Sequence, residues 1–312
     1  MLNREPIFIV AFAYGGSNIL LNLLRTHPDV CSPRGELNEV FKGKAAESIT
    51  TRLAKKLRYL PCVIGEGQDV FRPNDWVARK PFSKRTQNRV DRILFQEKLR
   101  ARDASQNLYK SEGVEYSDQE IAEGRLLSKN LNGLIHVTDE LMKMYPDATF
   151  LALVRNGFAV CEGHSRRGYD LERFCRNYEL GCQKMIADAN RHPNYHLLRY
   201  EEIIADPLES LRSIYRLAHL DVNKVKKVRL ETKKVMRSDG SHGYVHGAKE
   251  RQVMWYPLEE FDKHFRPDAN ENQIKRLSKE QQATIVNHCE KSLRHFGYLQ
   301  TPRPVDIKNC IS

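Results

Sequence analysis

A chain of 312 residues with 40% apolar and 29% charged residues holds enough apolar material for one large α/β domain or two small ones, which excludes a disordered-chain reading. Its formal charge of +11 and pI near 9.3 call for an anionic partner without separating nucleic acid, an acidic membrane surface and a phosphorylated small molecule. Seven scattered cysteines (Cys31, Cys62, Cys161, Cys175, Cys182, Cys289, Cys310), odd in number and without a CxxC pair, argue against a disulfide framework or a zinc site. No apolar run approaches the ~20 residues that cross a bilayer, and the segment after Met1 leads straight into a strand-like run, so a soluble, cytoplasmic protein without a membrane span is expected.

In chain order, four short apolar runs read as buried parallel strands: Ile7 to Phe12, Arg125 to Ser128, Thr149 to Val154 and His196 to Arg199. Each is followed by a stretch of helical periodicity, namely Ile19 to Arg25, Ile135 to Met144, Leu171 to Ala187 and Leu208 to Ala218. Strand, loop and helix repeated in this way predict a single domain built on a doubly wound parallel sheet, with ligands beyond the carboxyl ends of the strands. Residues from about 40 to 122, rich in basic clusters such as "ARKPFSKRTQNR", read as a mostly helical insertion, either a solvated basic face or a cap over the substrate. The stretch from about 232 to 256 has the composition of a mobile loop, and a last helix is expected from Ser278 to Phe296.

The chemistry is expected in the loops. Ala13-Tyr14-Gly15-Gly16-Ser17-Asn18 pairs two glycines, which let the backbone turn and approach a phosphate, with a serine and an asparagine able to cap the next helix. It is not a Walker A loop, since "GGSNI" offers no lysine. The third strand ends on Arg155, whose guanidinium can fork onto a phosphate, with Ser165, Arg166 and Arg167 following; the fourth ends on Tyr200 and Glu201.

In these segments the sequence resembles the sulfotransferases that use 3′-phosphoadenosine 5′-phosphosulfate, over residues 6 to 30 and 125 to 220 and again at "FGYL". The resemblance implies a P-loop-like α/β fold, with the phosphosulfate of the donor on the first loop (Tyr14, Gly15, Gly16, Ser17, Asn18) and the 3′-phosphate on Arg155 of "VRNG". It implies that Tyr200 of "RYEEIIADPLE" lies near the adenine nucleotide, that Lys129 opens the stretch leading into the Arg155 strand, and that no metal is required. Glu36 of "CSPRGELNEVF" resembles the glutamate that takes the acceptor proton in the tyrosylprotein branch, with His27 and His136 as competing residues of mainly structural character.

Two departures stand out. The family's "PKSGTT" or "PRSGTT" places a cation where this chain has Tyr14, and its serine eight residues after the arginine is here Gly163, with Ser165 two positions on. Lys129, Arg34, Arg166 and Arg167 are the residues able to supply the missing charge. The rival readings are a nucleotide kinase, which wants a Walker lysine and an acidic magnesium ligand, a nucleic-acid module using the basic insertion, which lacks interleaved aromatics, and a donor-binding homologue of reduced activity. The acceptor, a hydroxyl or amine on a small molecule or glycan, is not legible, nor is the oligomeric state.

Overall fold

The computed structural model describes residues 5–32, 48–50, 53–54, 81–99, 101, 117–232, 234–236, 242–244, 252–265 and 268–299. Its centre is a five-stranded sheet of β1 (Ile7–Ala11), β2 (Val30–Cys31), β3 (Arg125–Leu131), β4 (Thr149–Val154) and β5 (Tyr195–Arg199), in the order β2-β3-β1-β4-β5 and parallel at every pairing. The "IFIVA" run of β1 is fully buried because it lies between β3 and β4 with helices over both faces.

Side chains alternate across the sheet, and the two cores follow that period of two. Phe8, Val10, Phe12, Phe150, Ala152 and Val154 face α6 (Leu171–Arg191) and α10 (Lys279–His295), while Ile7, Ile9, Ala11, Leu151 and Leu153 face α1 (Ser17–Arg25) and α8 (Pro207–Leu217). The apolar positions of α6, Phe174, Cys175, Tyr178, Cys182 and Met185, recur at helical spacing and form one stripe against the sheet. Ser278 starts α10 with a reciprocal capping box to Gln281, which satisfies two of its first amides.

The four expected strands are present, and a fifth, β2, is added. It escapes a periodicity reading because it is two residues long, paired with β3 at Arg125 and Leu126. β3 runs three residues past its expected end, and the helix expected from Ile135 divides into a tight 3-10 segment, Asn132–Val137, followed by α4 (Thr138–Met144). The helices α2 (Lys84–Leu99) and α3 (Asp118–Glu123) lie in the basic insertion. The stretch read as a loop carries paired strands: β6 (Lys227–Thr232) runs antiparallel to β9 (Gln252–Pro257), and β7 (Lys234–Met236) to β8 (His242–Tyr244). Among the described residues, no helix is long and apolar enough to cross a membrane.

Candidate active site

The loop from Phe12 to Asn18 leaves the carboxyl end of β1 through two residues in the left-handed region, Tyr14 at φ 63° and Gly16 at φ 88°. Glycine is required at 16 twice over: for its φ, and because a Cβ there would lie 2.3 Å from the Tyr200 ring. Gly16 itself holds the N-cap of α1, without a side-chain cap. The expected capping by Ser17 or Asn18 is therefore not what the structure has: both stand inside the first turn, and the helix's first amides keep no side-chain acceptor, the arrangement that receives an anion.

Arg155, one residue past β4, brings the loop ends together. Its Nη1 donates to the Tyr14 carbonyl at 3.0 Å and its Nε to Asn270 Oδ1 at 2.8 Å, and Nη2 donates to Gln273 Oε1. Its Cζ sits 4.4 Å from the centre of the Tyr200 ring, so that ring is held between Gly16 and the guanidinium. Arg155 is buried, 7% exposed, yet among the described residues it forms hydrogen bonds only to neutral oxygens and no ion pair with a carboxylate. Burial lowers its pKa, opposed by the fields of Tyr200, Glu201 and more distant groups.

Behind Arg155 is a fixed scaffold. Glu201, on the short helix α7 (Tyr200–Ala205), accepts from the Asn156 amide at 2.9 Å, from Asn270 Nδ2 at 2.6 Å and from the Tyr298 hydroxyl at 2.7 Å. Asn156 in turn caps α5 (Gly157–Ser165) through the Phe158 amide, and the Tyr178 hydroxyl donates to the Arg155 carbonyl. Asn270 and Gln273 belong to the short helix α9 (Ala269–Ile274), which no sequence motif marks. The "VRNG", "RYEE" and "FGYL" segments are thus joined at one carboxylate, and spacing along the chain gives no sign of it.

The four residues able to replace the missing cation fall in different places. Lys129, 1% exposed, donates to Asn18 Oδ1 at 2.8 Å and so stands at the start of α1. Arg167 has its Cζ 3.8 Å from the centre of the Tyr14 ring and donates to the Gly163 carbonyl at 2.6 Å. Arg166 turns to Glu162 at 3.0 Å, while Arg34, like Glu36, lies outside the described residues. The two departures at the loop are neighbours: a Cβ at Gly163 would come 3.1 Å from that of Tyr14, so the tyrosine occupies the space a side chain at 163 would need. Ser165 closes α5 beyond this contact, with no hydrogen bond to Arg155.

His164 meets the Tyr14 ring edge-on at 4.8 Å and stacks on Phe174. Its Nδ1 bonds the Val160 carbonyl at 3.0 Å, and burial, with Arg167 nearby, takes its pKa down to about 4. His136 lies beside the same cavity as His164 and is also lowered by burial. His27 sits at the other edge, donating through Nε2 to the Asp221 carbonyl at 3.0 Å and accepting from the Asp29 amide, a packed structural histidine.

A cavity of about 1150 Å³ is also at the amino edge, between Arg125, Asp139, Glu140, His192 and His219. Parallel sheets bind ligands at the opposite edge, and none of the loop residues reaches it, so its size does not make it the active site. Of the metal-ligand types, Asp139, Asp188 and His192 cluster there with Lys184 already 3.1 Å from Asp139, and Cys161, Cys175 and Cys289 pack together in the core.

A family model described as the sulfotransferase family matches residues 6–224. The chain belongs to the sulfotransferase family. Among solved structures this sulfotransferase is similar to the sulfotransferase domain of the Synechococcus PCC 7002 olefin synthase, at 16% identity over 97% of this chain and 98% of that one, with a TM-score of 0.49. It is also similar to the sulfotransferase domain of the curacin biosynthetic pathway (13% identity, 96% and 99% covered, TM-score 0.49) and to mouse sulfotransferase SULT7A1 complexed with PAP (12%, 94% and 86%, TM-score 0.41). Among curated proteins there is no match. The catalysed chemistry is transfer of a sulfuryl group. A kinase reading ends here: the family match covers residues 6–224, and the loop has no lysine after its last glycine.

Proposed function

We propose that this sulfotransferase takes its sulfuryl group from 3′-phosphoadenosine 5′-phosphosulfate and passes it to a hydroxyl or amine of a small molecule or glycan. The observation that carries the donor assignment is Arg155. A buried guanidinium whose hydrogen-bond partners among the described residues are all neutral, one of them the phosphate loop's own carbonyl, is matched by an anion at that point. In this reading Arg155 holds the 3′-phosphate, the amides at the start of α1 with Gly15, Gly16, Ser17 and Asn18 hold the phosphosulfate, and Tyr200 lies along the nucleotide.

The loop's missing charge is supplied from two sides, by Lys129 at the start of α1 and by Arg167 over the Tyr14 ring. Tyr14 serves as the platform that carries Arg167 to the loop. A preorganised cation there acts on charge that develops as the sulfuryl group departs, an effect of about 3 kcal/mol for comparable donors. Glu36 is assigned the acceptor proton. Gly163 gives up the family's serine contact to make room for Tyr14, and Ser165 stays a surface neighbour of the nucleotide end.

Melting with added nucleotides tests the donor. The 3′,5′-bisphosphorylated product of the donor, at ~100 times its dissociation constant, should stabilise the fold by about 2.7 kcal/mol, well above any effect of ATP with magnesium. A larger shift from ATP than from the bisphosphate would end the donor assignment. Arg167→Ala should lower kcat with little change in donor affinity, and Tyr14→Lys should restore turnover in that background. Unchanged kcat in Arg167→Ala removes Arg167 from the chemistry.

A further inference from the structure

Tyr14 divides two features of the active-site edge: its carbonyl takes Arg155 and its ring meets His164. On the His164 side is a cavity of about 40 Å³, bounded by Phe12, Asn132, His136, His164, Phe174 and Asn177. It abuts the phosphate loop, since Phe12 opens that loop and Asn132, itself at φ 54°, accepts the Ala13 amide at 2.9 Å. A space of this size receives about one hydroxyl group or water.

Its chemistry is specific. His164 is 2% exposed, and its Nδ1–H donates to the Val160 carbonyl, which fixes the tautomer and leaves Nε2 as a bare acceptor. Among the described residues that Nε2 is buried without a hydrogen-bond partner, a costly state for a native group unless something donates to it. The rest of the boundary is two aromatic rings, two side-chain amides, Gly133 and His136, which burial keeps neutral. A cavity without formal charge rejects ammonium and carboxylate groups and accepts a neutral donor. In-line transfer puts the acceptor on the side of the sulfur away from the nucleotide, and the cavity lies across Tyr14 from the nucleotide's arginine.

We propose that this cavity is an acceptor subsite that takes a non-reacting hydroxyl of a neutral, polyhydroxylated acceptor, which donates to His164 Nε2 while a neighbouring hydroxyl faces the sulfuryl group. A simple alcohol has one hydroxyl and cannot fill both positions. The proposal rests on the donor reading above and narrows the acceptor from any hydroxyl or amine to a polyol or sugar.

The test uses the full chain labelled with 15N-histidine and saturated with the bisphosphorylated nucleotide. Addition of myo-inositol or glycerol should shift the His164 Nε2 resonance, whereas 1-propanol and propylamine should not. His164→Phe keeps a ring on Phe174 and removes the acceptor; in transfer assays with labelled donor it should raise KM for myo-inositol about tenfold or more with kcat little changed. Asn177→Leu narrows the cavity from α6 without touching the loop and should have the same effect. A resonance unmoved by either polyol means that the cavity holds water only and overturns the proposal, as does an inositol KM indifferent to both variants. Failure of the nucleotide to stabilise the wild type is a separate result and counts against the donor reading.

Discussion

Arg125 and Arg155 stand at opposite edges of one sheet, both buried and both donating to uncharged oxygens, yet their surroundings are of different kinds. Arg125, at the amino end of β3, donates to the Glu5 and Ala218 carbonyls and to Thr149 Oγ1, tying together backbone 120 and 93 residues away. Arg155, at the carboxyl end of β4, is held mainly by two side-chain amides of the six-residue α9 and by the carbonyl of a strained loop residue. A guanidinium fixed by backbone is a structural tie. One covered by amide side chains can exchange those partners for a ligand at small cost.

The largest expected effect tests the first half of that contrast. Arg125→Ala leaves two buried acceptors, the Ala218 carbonyl and Thr149 Oγ1, and the partly buried Glu5 carbonyl without their donor, and should lower stability by about 4 kcal/mol in urea unfolding. A loss under about 1 kcal/mol would erase the distinction between the edges. His164 supplies the next measurement, because it shows what burial does to a group able to shed its charge. Its folded pKa, about 4, lies below the ordinary 6.5, so the unfolded chain binds the extra proton. Stability is therefore whole above about pH 6.5 and declines as pH falls toward 4, by about 3 kcal/mol from this residue. His164→Gln should flatten that decline, although His27, His136 and His196, lowered in the same direction, keep part of it.

Arg155 should behave in the opposite way to Arg125. Arg155→Lys and Arg155→Ala should each cost about 2 to 3 kcal/mol in affinity for the bisphosphorylated nucleotide by calorimetry, while the melting temperature without nucleotide moves little. Wild-type affinity in a folded Arg155→Ala chain takes the residue out of the site. Gln273→Ala is the smallest effect and the sharpest. It removes a neutral competitor for the guanidinium and should tighten nucleotide binding by about 1 kcal/mol. Weaker binding would mean that Gln273 stays beside the ligand as part of the site.

The sheet was legible because four of its five strands are long enough to show as apolar runs, and a strand's last residue is where parallel sheets present chemistry. Arg155, Tyr200 and the glycine loop could be placed from that rule alone. β2 was too short, and α5 was missed because "GFAVCEGHS" is buried nearly all round and carries no amphipathic stripe. The β6–β9 ladder joins strands separated by residues of loop-like composition, and no local signal announces a pairing across such a gap. His164 and Asn270 were invisible for another reason: each acquires its role only from a neighbour brought in by tertiary packing, a ring of Tyr14 in one case and Glu201 in the other.

The Glu201 junction has a consequence for how the molecule is made. Asn270 follows Arg155 by 115 residues and Tyr298 follows Glu201 by 97, so this junction cannot close until α10 and the residues just after it have left the ribosome. At ~5 to 20 residues per second Arg155 waits on the order of ten seconds for its amide partners on α9, its charge met until then by water.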